Sequence, residues 1–208
     1  MSVLITIDGV EGAGKSTQAT RLADALRRDG HEVVVTREPG GTELGRALRR
    51  MLLEDDSPGP TPETELLLYL ADRAEHVRRL IQPALERGAL VIADRFSDST
   101  IAYQSYGRGI PLETVRRLDA FARGGVSPAL TFFLDLPPEE GLARARSVGP
   151  ADRLERETLE FHRRVREGFL AIAAAEPERV VLLDARLDIA ELAQRMAELA
   201  RARLAAAA

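Results

Sequence analysis

Five short apolar runs limit how this chain can fold: "VLITID" (3–8), "EVVVTRE" (32–38), "ALVIAD" (89–94), "LTFFLD" (130–135) and "RVVLLD" (179–184). Four of them close on Asp and one on Arg-Glu, and helix-like stretches separate them. Continuous apolar runs of this length fit strands buried on both faces, as in a parallel sheet covered by helices. The expected class is therefore α/β. In such sheets ligands gather outside the carboxyl ends of the strands, so the five polar ends are expected to converge on one site. At 208 residues the chain suits one domain spanning 1–208.

The helices mark their own limits. A helix opening at Gly14 is expected to close at Gly30, a candidate left-handed cap. In "TPETE", Thr61 is placed as N-cap, Pro62 at the first helical position, and Glu63 and Glu65 near the positive end of the dipole. Pro83 is expected to break or bend the run that ends at Gly88. Asp188 and Glu191 make a capping-box-like start to the last helix. "SVGPAD" (147–152) fits either a mobile lid or an ordinary helix–helix connection.

Composition excludes several classes. No run of 18 apolar residues is present, so no membrane span is expected, and the start "MSVLITIDG" lacks the basic region of an export signal. The absence of cysteine excludes disulfides and thiolate metal sites and fits a cytoplasmic protein. A net charge of -4 gives no electrostatic case for nucleic-acid binding. Lys15 is the only lysine, against 28 arginines, and asparagine is absent, which fits either a thermophile or a GC-rich genome. Whatever replaced lysine elsewhere spared one position, where a compact ammonium on a flexible stem reaches phosphate better than a planar guanidinium.

That position lies in "GVEGAGKST", where Gly9, Gly14, Lys15 and Ser16 match the phosphate-loop pattern G-x-x-x-x-G-K-[ST] between a strand and a helix. Backbone N–H groups of Gly9, Val10, Glu11, Gly12, Ala13, Gly14, Lys15, Ser16 and Thr17 would cradle the phosphates of ATP. Ser16 would ligate Mg²⁺ and Lys15 would neutralise the transferring group. Glu11 is the anomaly, because an ionised pair ~6 Å apart at an effective dielectric of ~20 repels by about 3 kcal/mol.

A switch GTPase would need an N-K-x-D segment, which a chain without asparagine cannot contain. "VIAD" is followed by Arg95, so Asp94 can serve Mg²⁺ through water while Arg95 faces a second anion, as in a kinase whose acceptor carries a phosphate; a local ion pair is the plain alternative. Tyr69, Arg73 and His76 share one helix stripe, where a ring can stack on a base and Arg73 donate to its carbonyl edge; helix packing and a solvated charge are the alternatives. Thr100 with Gln104, and Ser99 with Tyr103, form i, i+4 pairs. The Pro-Gly-Gly turn of "REPGG" brings Arg37 and Glu38 to a strand end. The three histidines show no metal-ligand spacing, and no catalytic histidine is assigned.

Over nearly its whole length the chain resembles bacterial thymidylate kinase, through "GVEGAGKST", "TREPGGTELG", "LLLYLADRAEHV", "DRFSDSTIAYQ", "GRGI" and "GLARARSVGPADRLE". The resemblance implies a five-stranded parallel sheet with helices on both faces, a P-loop kinase fold with a lid around 144–155, a homodimer, and transfer of the γ-phosphate of ATP to dTMP. It implies that Lys15, Arg153, Arg95 and Asp94 carry the chemistry, with Ser16 and Asp94 at Mg²⁺ and Arg144 packing over adenine. It places Asp8, Glu38, Arg49, Tyr69, Arg73, Arg95, Ser99, Thr100, Tyr103 and Gln104 around dTMP. The family's usual aromatic at Tyr69 is Phe, so the extra hydroxyl needs a partner or water. Arg153 is expected to close over the phosphates and offset Glu11. A kinase for another nucleotide or nucleoside is the nearest alternative, and a nucleotide-binding switch protein a more distant one.

Overall fold

The computed structural model describes residues 2–54 and 59–206. Its strands are β1 (Leu4–Gly9), β2 (Val33–Arg37), β3 (Leu90–Asp94), β4 (Leu130–Asp135) and β5 (Val180–Asp184). They form one parallel sheet in the order β2-β3-β1-β4-β5. β1 is at the centre, and the chain reverses direction on either side of it. This places the phosphate loop, which follows β1, at the switch point where such sheets bind ligands.

Each strand falls on one of the apolar runs, but the two edges depart from burial on both faces. β1 is buried throughout, whereas β2 and β5 each carry two exposed positions, with Val35 40% and Leu182 49% exposed. An edge strand has a neighbour on one side only, and its outer positions escape the covering helices.

The helices are α1 (Lys15–Arg28), α2 (Glu43–Arg49), α3 (Pro62–His76), α4 (Gln82–Glu86), α5 (Ser97–Thr100), α6 (Leu112–Arg123), α7 (Pro138–Arg146), α8 (Leu159–Ala175) and α9 (Ile189–Ala206). Leu22, Leu26, Met196 and Ala200 of α1 and α9 cover one sheet face with Ile5, Ile92 and Phe132. Leu66, Leu70, Val115, Val165 and Phe169 of α3, α6 and α8 cover the other with Phe133. Phe133 stacks on Phe169 with ring centroids 4.9 Å apart.

Most caps sit where the sequence places them. Thr61 accepts from the Thr64 amide at 3.4 Å, and Asp188 accepts from the amides of Ala190 and Glu191 at 2.8 and 3.3 Å. α1 ends at Arg28, with Gly30 two residues beyond at φ 91°. Pro83 does not break its helix. A π-helical turn over Val77–Ile81 joins α3 to α4 and contains Arg79, the residue whose carbonyl the Pro83 ring would otherwise meet. α5 likewise continues into a π-helical segment, Ile101–Gly107. Between α7 and α8 lies a stretch of turns in which Asp152 and Glu155 each accept the other's amide hydrogen, at 2.9 and 3.2 Å.

Phe133 is 1% exposed, so truncating it leaves a cavity beside Phe169. Phe133→Ala is expected to lower the unfolding free energy by about 3–5 kcal/mol, read from the midpoint shift in urea titrations.

Candidate active site

The loop after β1 is held by close backbone approach as well as by hydrogen bonds. Gly12 has φ 69°, and a Cβ there would meet the Gly141 carbonyl oxygen of α7 at 2.1 Å; a Cβ on Gly141 would meet the Glu11 carbonyl oxygen at 2.4 Å. Only glycine at both positions lets loop and helix touch. Lys15 donates to the Val10 carbonyl at 2.7 Å, curling its ammonium back over the loop. Burial, and next the nearby Arg95 charge, push its pKa down to about 8. Ser16 Oγ donates to Asp94 Oδ2 at 2.5 Å, joining the start of α1 to the end of β3.

Glu11 is 8% exposed, and both of its hydrogen bonds are received on Oε1. Tyr103 Oη donates to its Oε1, Arg95 Nη2 stands 3.2 Å from the same oxygen, and His162 Nδ1 lies 3.3 Å from Oε2. Burial alone would raise the carboxyl's pKa, but His162, Arg95 and Lys15 hold it well below the ordinary range. The charge that offsets Glu11 is therefore Arg95, with Tyr103 and His162 beside it. Arg153 is elsewhere: its Nε donates to the Leu52 carbonyl at 2.6 Å and its Nη2 to Glu65 at 2.5 Å. In this arrangement Glu65 and the chain after α2 claim its donors, and Glu11 is offset without it.

Arg95 has φ 72°, the only positive value at a non-glycine among the described residues. Its Nη1 donates to the Gly9 carbonyl and Ser99, at 3.0 and 3.1 Å, and Nη2 to Glu11 and Tyr103, at 3.2 and 3.0 Å. Both Nη groups are thus committed to protein, and an incoming anion would have to share or exchange those contacts. Asp8 is fully buried, accepts from Ser99 at 2.5 Å, and is pushed up to about 7 by burial and then by Asp98.

A cavity of about 250 Å³ opens beside the loop, lined by Lys15, Ser16, Asp94 and Arg95 together with Tyr69, Arg73, Thr100 and Gln104. Arg37, Glu38, Arg49, Ser99 and Tyr103 also line it. Arg49 donates to the Pro39 carbonyl at 3.1 Å, and Arg37 makes no ion pair among the described residues. Arg37 is the cation that sequence reasoning brought to the strand end without giving it a place in the site. Its signal was the "TREPGG" turn itself.

Arg73 is 2% exposed and tightly framed. Nε and Nη2 donate to Glu38 Oε2 at 2.9 and 2.7 Å, and Nη1 to Thr100 and Asp119 at 2.8 and 2.7 Å. Four of its five N–H groups are used, leaving one on Nη2. His76 Nδ1 meets the other Glu38 oxygen at 2.9 Å, and its Nε2 lies 2.6 Å from Thr36 Oγ1. Gln104 Nε2 donates to Glu65 at 3.0 Å. Tyr69 is half-buried on the cavity wall, and no described residue hydrogen-bonds its hydroxyl. Burial, then the Glu65 charge, raise its pKa above the ordinary phenol value. Arg144 lies away from this cavity and donates to the Ala185 carbonyl at 2.9 Å. Asp119, Glu65 and His162 are the partners that spacing did not reveal, because each reaches its arginine or carboxylate from a different element.

A phosphate loop that shares one cavity with Arg37, Arg49, Arg73 and Arg95, on a β2-β3-β1-β4-β5 sheet, defines a P-loop kinase. A thymidylate kinase family model matches residues 7–196. The chain is 56% identical over 205 residues to a thymidylate kinase of Synechococcus sp. (strain JA-3-3Ab), covering 99% of this chain and 98% of that one. It is 52% identical over 183 residues to one from Deinococcus radiodurans, covering 88% of each. The crystal structure of thymidylate kinase from Ehrlichia chaffeensis superposes with a TM-score of 0.74 at 37% identity, over 88% of this chain and 92% of that one. The chain belongs to the thymidylate kinase family.

With a pKa of about 8, Lys15 is close to half neutral at pH 8 in the free protein. Phosphate oxygens favour its charged form, so ATP binding raises the pKa and draws in protons. About half a proton should be taken up per ATP near pH 8 and almost none near pH 6.5, where Lys15 is already charged. Calorimetry in two buffers of different ionisation enthalpy measures the uptake, and Lys15→Met should abolish it.

Proposed function

We propose that this chain catalyses its family's reaction with the residues that line the cavity: the γ-phosphate of ATP passes to dTMP, giving dTDP and ADP. The reading rests on one observation, that Lys15 and Ser16 of the phosphate loop share a cavity with Tyr69, Arg73 and Gln104, an aromatic ring and two hydrogen-bonding side chains suited to a base. A switch protein would have no use for a second binding site there.

The loop from Gly9 to Thr17 holds the triphosphate, and Lys15 leaves Val10 to neutralise the group in flight. A monophosphate with its second pKa near 6 is already ionised at neutral pH, so its oxygen attacks without a protein base. The protein's work is positioning and charge neutralisation. Arg95 receives the acceptor phosphate, with Arg49 beside it and Arg37, which makes no ion pair among the described residues. Tyr69 stacks on the base, Arg73 and Gln104 meet its edge, Thr100, Ser99 and Tyr103 line the sugar side, and Asp8 supports Ser99. Glu38 holds Arg73 in place. Arg144 borders the adenine side near Ala185.

Ser16 and Asp94 fit Mg²⁺, since they are hard oxygen donors held 2.5 Å apart at the mouth of the loop. Bound there with ATP, the ion would supply positive charge against the charge that develops on the phosphates. The lid of residues 144–155 would carry Arg153 from Glu65 to the transferring phosphoryl group.

The finer parts of the reading are a cytoplasmic homodimer that uses ATP and dTMP and binds neither nucleic acid nor membrane. Exposed Leu67 on α3 and Phe121 on α6, 56% and 88% exposed on helices that pack together, support self-association. Among the described residues no helix is long and apolar enough to cross a membrane.

A coupled assay tests the reaction: ADP release with ATP and Mg²⁺ should rise sharply on adding dTMP, with dTDP as product. Slow release unchanged by dTMP would overturn it. Arg153→Ala should cut kcat at least ~100-fold with little change in dTMP affinity. Near-normal kcat would remove Arg153 from the mechanism.

A further inference from the structure

We infer that Glu65 is a specificity-determining positioning residue, which fixes the amide of Gln104 so that the site accepts thymine and rejects cytosine. The inference rests on the reading of the cavity as the dTMP site. Glu65 is wholly buried on α3, and its carboxylate receives Gln104 Nε2 and Arg108 Nε at 3.0 Å, Arg108 Nη2 at 2.9 Å and Arg153 Nη2 at 2.5 Å. Hydrogen bonding with these donors and the Arg108 charge outweigh burial and keep its pKa below the ordinary value. An ionised carboxylate can only accept, so the glutamine must turn its NH₂ group towards Glu65. Its Oε1 is thereby turned away, and no described residue donates to it. Gln104 lines the cavity together with Arg73.

Arg73 has the complementary polarity. Glu38, Asp119 and Thr100 use four of its N–H groups and leave one on Nη2. The chamber therefore offers a fixed acceptor and a fixed donor. Thymine presents N3–H beside the C4 carbonyl, the opposite pair. Cytosine presents a lone pair at N3 and an amino group at C4, so acceptor would face acceptor and donor would face donor. With a neutral partner in place of Glu65, the amide could rotate by 180° and offer NH₂ to the N3 of cytosine. A buried carboxylate outside the base-contacting shell would thus decide which pyrimidine is read.

The test is the ratio of kcat/KM for dTMP to that for dCMP, with ATP and Mg²⁺ in excess. Loss of the Arg153 anchor or a loosened fold slows both substrates alike and cancels in this ratio. Glu65→Gln should lower the ratio by roughly tenfold or more, and Arg108→Gln, which leaves the Glu65–Gln104 contact in place, should not move it. In a Gln104→Leu background Glu65→Gln should cause no further change, as expected for residues acting through one contact. If Glu65→Gln fails to fold, Glu65→Asp keeps the charge for Arg108 and Arg153 but draws it back from Gln104, and should lower the ratio in the same direction. An unchanged ratio in a folded Glu65 variant that still makes dTDP overturns the inference. Failure of the unmodified protein to make dTDP overturns the dTMP reading itself.

Discussion

A carboxylate buried in the middle of a phosphate-binding loop is the constraint around which this site is arranged. Glu11 can stay ionised there because Arg95 from the end of β3, Tyr103 from the π-helical segment and His162 from α8 all reach it. Removing one partner of a buried pair leaves a charge without compensation, at a cost of about 3–5 kcal/mol, so the three elements are bound to the loop's geometry. On the proposed reading of Arg95 as the residue that receives the acceptor phosphate, it cannot turn fully to that phosphate without altering what faces Glu11 in the loop.

Buried carboxylates do the same work around Arg73 and Gln104. Glu38 and Asp119 grip Arg73, Glu65 grips Gln104 and Arg108, and His76 is fixed between Glu38 and Thr36. None of these acids needs to touch a nucleotide to matter. Each limits a long, rotamer-rich side chain to one orientation before substrate arrives, and ordering done during folding need not be repeated at binding. The cost is a dense set of buried charges, tolerable because almost every donor and acceptor in the set is paired.

Much of this was legible in the sequence because it is local. A run of apolar residues ending in Asp, a Thr-Pro helix start and a G-x-x-x-x-G-K-S loop each carry their meaning within ten residues. The five strands, their parallel arrangement and the caps at Thr61 and Asp188 follow from such signals. The stripe of Tyr69, Arg73 and His76 was legible too, since helical spacing alone aligns them. The partners were not. Nothing near Arg73 announces Asp119, 46 residues away, and nothing near Glu11 announces His162 or Tyr103. Those contacts exist only after the sheet order brings β1, β3 and α8 together. The anchor of Arg153 was hidden for the same reason: Glu65, which accepts from it, lies 88 residues away in sequence. Gly141 reads as an ordinary helix glycine until its contact with Gly12 is seen.

The backbone at Arg95 has a consequence for how such a protein changes over time. A left-handed conformation costs a side-chain-bearing residue roughly 1–2 kcal/mol, and glycine would adopt it freely. The Glu11 pairing outweighs that strain, because without the guanidinium a buried carboxylate would lose its compensating charge at a cost of about 3–5 kcal/mol. Selection for heat resistance alone, blind to activity, would therefore hold arginine at position 95. Its retention marks a copy that still folds around Glu11, whether or not that copy still works.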